Sequence, residues 1–145
     1  MFNPAQPSIA VALVLDSERR LLLAWNSHWG SFTLPMTKLH LEQPAETPEQ
    51  AGLRAAAEIL GVPVRVVTGR QAKFARGLLL SLRDGEIKDY QYHVVAVEAH
   101  PDFAQQVSQQ PLVWANVAAL RNGDYQPISK SVESLLQECA EWGWI

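Results

Sequence analysis

Arg54 and Glu58 stand four residues apart in a stretch of strong helix formers, the spacing at which an arginine and a carboxylate meet on one helix face. Read alone, such a pair is an exposed ion pair that stabilises the helix by a few tenths of a kcal/mol. Arg65, Arg70, Lys73 and Arg76 form the one basic cluster of note, which either meets phosphates or is a solvated face. Trp29 and Phe32 lie in a loop where an aromatic ring could stack on a base, and packing is the competing reading. The remaining tryptophans, Trp114, Trp142 and Trp144 above all, read as buried packing residues. His28, His40, His93 and His100 do not have the spacing of a metal-binding set. His93 alternates with Tyr92 and Val94 in a strand-like stretch, so it faces either a cleft or a hydrogen-bonding neighbour in a sheet.

Composition narrows what these residues can serve. A chain of 145 residues, 48% hydrophobic and 19% charged, suits one compact domain over 1–145 that buries roughly two-thirds of its unfolded surface. A net charge of −3 argues against an extended nucleic acid as partner, while a local cluster of Lys and Arg still suits a small phosphorylated ligand. Cys139 is the only cysteine, which excludes an intrachain disulfide and a cysteine zinc cluster and fits a reducing cytoplasm. The apolar run Ile9 to Leu15 is only strand length and has no basic residue ahead of it, so neither a signal peptide nor a membrane span is expected.

The elements that must position these side chains follow from pattern. Ile9 to Leu15 and Leu21 to Trp25 read as buried strands joined through the polar turn Asp16 to Arg19. Asn26 to Gln43 has no steady period and reads as a long loop. Thr47, Pro48 and Gln50 write a capping box, which starts a helix that Gly61 and Pro63 end. Val64 to Thr68, Ala75 to Arg83 and Tyr90 to Ala99 read as strands, with Asp84-Gly85 turning between the last two. Pro101 to Gln110 is a polar loop, Leu112 to Trp114 a short strand, and Ala115 to Leu120 a helical turn. Val132, Leu135, Leu136 and Cys139 then mark one face of a helix over Ser129 to Trp142. The apolar Trp142 to Ile145 either caps the core or seals a homodimer.

This order resembles the Nudix hydrolase family from end to end. Glu46, followed after seven residues by Arg54 and then by Glu58, Gly61 and Val62, is similar to the family's box, and Trp114 and Leu120 resemble the residues after its late strand. The resemblance implies an α/β fold, a Nudix-type α/β/α sandwich with a mixed central β-sheet. It also implies that Arg54 clamps Glu46, with Gly61 ending the helix, so that all three are structural residues of the box. The activity implied is hydrolysis of nucleoside diphosphates linked to another moiety, with Mg²⁺ or Mn²⁺ as cofactor and Glu58 as metal ligand.

The departures bear on that chemistry. Two family glutamates are Ala55 and Ile59 here, the box glycine falls on His40, and Met36-Thr37 replaces the Gly-Gly after Leu34-Pro35. About three extra residues lie between Pro35 and Glu46 by comparison with the family pattern. Positions 55, 58 and 59 share a helix face, so three glutamates there would converge on hard cations, and Ala55 and Ile59 leave Glu58 alone. Catalysis is therefore expected to be reduced or lost. Three readings stay open: a slowed hydrolase, a ligand-binding or protein-interaction module that keeps the cleft, and an active hydrolase with relocated ligands. Glu42, His40, Glu46, Glu98 and Asp102 are the candidates for relocation, and solvated loop charges are the competing reading for all of them.

Overall fold

The computed structural model describes residues 8–16, 18–27, 30–40, 45–60, 64–80, 87–99 and 112–145. The elements run β1 (Ser8–Leu15), β2 (Leu21–Asn26), β3 (Ser31–Thr33), β4 (Met36–Lys38), α1 (Pro48–Leu60), β5 (Arg65–Val66), β6 (Lys73–Leu80), β7 (Ile87–Glu98), β8 (Leu112–Ala115), α2 (Val117–Arg121) and α3 (Lys130–Glu141).

β1 and β7 form the middle of a mixed sheet, paired in parallel from Ser8↔Gln91 to Leu15↔Glu98. Among the described residues every other pairing between strands is antiparallel. The far edge of β1 is shared by two strands: β4 pairs with Ile9 to Val11, and β2 joins at Leu15. Between them the Ala12 N–H donates to the Pro35 carbonyl at 2.8 Å, so the splayed region keeps its backbone satisfied. At the other end of β1, the Asp16 carboxylate accepts from the Glu18 and Arg20 N–H groups at 3.0 and 2.8 Å, which fixes the turn into β2.

A strand covered on both faces must be apolar along its covered length, and β1 is so from Ile9 to Leu15. Val11 and Leu13 pack with Leu23, Tyr92 and Val94 against Val132, Leu135, Leu136 and Cys139 of α3. Ala12 and Val14 pack with Leu22, Val95 and Val97 against Ala56 and Leu60 of α1. The result is the α/β/α sandwich that the strand and helix order implies. Trp144 is 5% exposed and, with Trp142 and Ile145, closes the α3-side core. Among the described residues no helix is long and apolar enough to cross a membrane.

Two expectations need correction. The segment read as a loop over Asn26 to Gln43 contains β3 and β4. Each is three residues long, too short for a period to show, and each is held by its partner strand. The strand expected over Val64 to Thr68 shrinks to Arg65–Val66, because the chain turns away at Thr68 and Gly69, the latter with φ +81°. The Asp84-Gly85 turn and the loop from Pro101 to Gln110 lie outside the described residues.

Candidate functional site: a clamped loop beside α1

α1 starts where its capping box places it. The Gln50 N–H donates to Thr47 Oγ1 at 3.2 Å, and the Thr47 N–H donates to Gln50 Oε1 at 2.9 Å. This fixed start orients Arg54, whose guanidinium joins three segments. Its Nε and Nη2 donate to Glu46 Oε2 and Oε1 at 3.0 and 2.9 Å, a two-pronged contact that favours arginine over lysine. Its Nη1 donates to Thr37 Oγ1 at 3.1 Å, and Nη2 also reaches the Lys38 carbonyl at 3.0 Å. Arg54 thereby ties α1 to β4 and to the loop in one step.

Glu46 closes the loop on itself as well. Its N–H donates to the His40 carbonyl at 2.9 Å, and its Oε1 accepts from the His40 N–H at 3.0 Å. The Arg54 hydrogen bonds, helped by the His40 N–H, outweigh burial and hold the Glu46 carboxyl down to about 2. The same carboxylate pushes Arg54 upward, so the pair is charged on both sides.

Glu58 is placed differently. It is 65% exposed, and its Oε1 lies 3.7 Å from Arg54 Nη1, beyond hydrogen-bond reach. Ala55 is 3% exposed, and Ile59 is partly buried against the α1-side core. The positions where the family pattern has two further glutamates therefore belong to packing. Among the described residues no three His, Cys, Asp or Glu side chains converge as a metal site would need. A hard cation takes about six oxygen ligands, and this face of α1 offers Glu58 alone. The described residues do not fit a Mg²⁺ or Mn²⁺ centre of the family kind. Glu98 is engaged elsewhere, accepting from Arg65 Nε at 2.8 Å.

The remaining candidates are dispersed. Phe32 lies in β3, edge-on to Trp25 with ring centroids 5.1 Å apart, and packs on the α3-side core. His93 is on the opposite, α1-facing side of the sheet, in a row that runs Thr37, Ala10, His93, Phe74 across four strands. Burial pushes its pKa down, with Glu49 opposing, and its ring meets the half-exposed Phe74 edge-on at 5.5 Å. Phe32 and His93 are thus not brought together. Glu42, Gly61, Trp29 and Asp102 lie outside the described residues. Thr37 and the Lys38 carbonyl, both partners of Arg54, were missed as site residues. The one available signal was a hydroxyl residue standing where the family pattern has glycine.

No protein-family model matches the sequence, and no curated protein matches it significantly. Solved structures do match over nearly the whole chain. A Nudix hydrolase from M. smegmatis, RenU, is 19% identical at a TM-score of 0.65, over 99% of this chain and 88% of that one. The E. coli dihydroneopterin triphosphate pyrophosphohydrolase is 11% identical at 0.64, over 92% and 94%. The Nudix domain of Shewanella oneidensis NrtR, in complex with ADP ribose, is 18% identical at 0.62, over 97% and 92%. The chain has the Nudix fold.

Proposed function

We propose that this chain is a Nudix-fold protein of hydrolase descent that binds a small phosphorylated ligand, of the class of nucleoside diphosphates linked to another moiety, with hydrolysis reduced or lost. The observation that carries this reading is Ala55, 3% exposed on the helix face where a metal-binding carboxylate would stand. Retention of the Glu46–Arg54 pair beside it supports a loop kept in shape after its metal ligands have gone. The ligand class is suggested by the ADP ribose of the NrtR domain and by the triphosphate named for the E. coli enzyme. A reducing cytoplasm suits the single buried thiol.

The test is an assay of the pure protein against a panel of such nucleotides with Mg²⁺ or Mn²⁺, beside Glu58→Gln and the double change Ala55→Glu with Ile59→Glu. Turnover gained only in the double variant supports decay of a hydrolase. Strong metal-dependent turnover in the unchanged protein, abolished by Glu58→Gln, would sink the proposal. Turnover that ignores Glu58 would mean relocated ligands, with Glu42 the next residue to change.

A further inference from the structure

The chain leaves the sheet after Val66 and rejoins it at Lys73, and the turn between is pinned in place. The Val67 N–H donates to the Ala96 carbonyl at 3.0 Å, the Arg70 N–H to the Val67 carbonyl at 3.2 Å, and the Ala72 N–H to Glu49 Oε1 at 3.2 Å. With Trp144 on one side and Glu49 on the other, the turn lines an open groove of about 670 Å³. Small-molecule pockets have volumes in this range. None of Glu46, Arg54 or Glu58 lines it.

Two cations converge there on one indole. Arg70 Cζ lies 5.7 Å and Lys73 Nζ 6.0 Å from the Trp144 ring centroid, and Lys73 also lies 5.5 Å from that of Trp142. The two rings meet edge to face at 5.3 Å. Neither cation has a carboxylate partner among the described residues. Glu49, the acidic residue of the groove, already accepts from the Ala72 N–H. Two like charges held at one ring repel, and an exposed cation–π contact offsets only about 0.5–1 kcal/mol each. A multiply charged anion between them would remove the repulsion, with arginine giving a planar fork and lysine a point charge.

The geometry points to a second ligand site in this groove, one that holds the phosphate or diphosphate group of a small molecule between Arg70 and Lys73 without a metal ion. It stands independently of the reading of the clamped loop.

Inorganic pyrophosphate is the probe, titrated into the pure protein at constant ionic strength without divalent cations and followed by calorimetry and tryptophan fluorescence. The expected result is saturable binding, weakened at least about tenfold by Arg70→Gln with Lys73→Gln and unchanged by Arg121→Gln on α2. Should the double variant fail to fold, the exposed Lys73→Gln alone is expected to weaken binding about threefold. No saturable binding by the folded protein overturns the proposal, as does binding indifferent to both cations. Binding that needs Mg²⁺ or Mn²⁺ and is lost in Glu58→Gln also overturns it, because the anion would then sit at the clamped loop. The hydrolysis panel is untouched by any of these failures, so the two readings fall separately.

Discussion

Gly52 of α1 lies directly over Val95 of β7, and a β-carbon added at Gly52 would stand 2.7 Å from the Val95 β-carbon and 2.8 Å from its Cγ2. That approach sets how deeply α1 beds on the sheet, and so where Arg54 reaches β4. Alanine in a helix interior ordinarily gains about 0.5–1 kcal/mol over glycine. Here overpacking of about 1–3 kcal/mol wins, because the clash is with a β-carbon rather than a flexible tip. Gly52→Ala is expected to lower stability in urea unfolding, and a rise in the midpoint would contradict this packing account.

The Glu46–Arg54 pair makes an acid-sensitive contribution. The Glu46 carboxyl has a folded pKa of about 2 against an ordinary 4.5, so the folded state favours its charged form. The associated stability is complete above pH about 4.5 and is lost as pH falls toward about 2. Glu46→Gln should flatten this part of the acid-unfolding profile. Arg54→Ala, which strands a largely covered carboxylate, should cost about 1.5–3 kcal/mol at neutral pH.

Restoring carboxylates on α1 tests the packing at positions 55 and 59. Since Ala55 is 3% exposed, Ala55→Glu with Ile59→Glu forces charge into a covered face. The melting temperature of the double variant is expected to fall on the order of 5–10 °C. Mn²⁺ should recover part of that loss by neutralising the new carboxylates, and should move the unchanged protein by less than about 1 °C. Equal shifts in both proteins would count against the assignment of lost ligands.

Cys139 is fully buried on the core-facing side of α3, and burial pushes its thiol up to about 12 from an ordinary 9.0. The folded state therefore favours the protonated thiol, and this contribution is complete below pH about 9 and is lost toward about 12. At pH 8 the native thiol is expected to resist a disulfide reagent and to react only at the rate of unfolding. Rapid stoichiometric labelling of the folded protein would contradict that placement.

The long elements were legible because each carries its own signal. Thr47 and Gln50 announce α1 by a reciprocal bond that two side chains suffice to specify. The sidedness of β7 follows from alternation alone, with Tyr92 and Val94 toward α3 and Val95 and Val97 toward α1. β3 and β4 were not legible, because three residues display no period and their pairing is decided by strands distant in sequence. Within the site, the charged pair at Glu46 and Arg54 is written in side chains. The Lys38 carbonyl that completes the guanidinium's bonds has no sequence signature, since every residue carries one. The depth of Gly52 against Val95 depends equally on how two layers meet.

The parallel pairing of β1 with β7 also orders events in time. Ser8 and Gln91, neighbours at one end of that ladder, are 83 residues apart along the chain. The middle of the sheet cannot exist until most of the polypeptide is present, and closing so long a loop places the fold among the slower, non-local folders. During synthesis the apolar β1 would wait, uncovered on its β7 side, while the ribosome adds the residues up to Glu98. The strand that forms the centre of the finished protein is therefore the segment most in need of protection before the protein is finished.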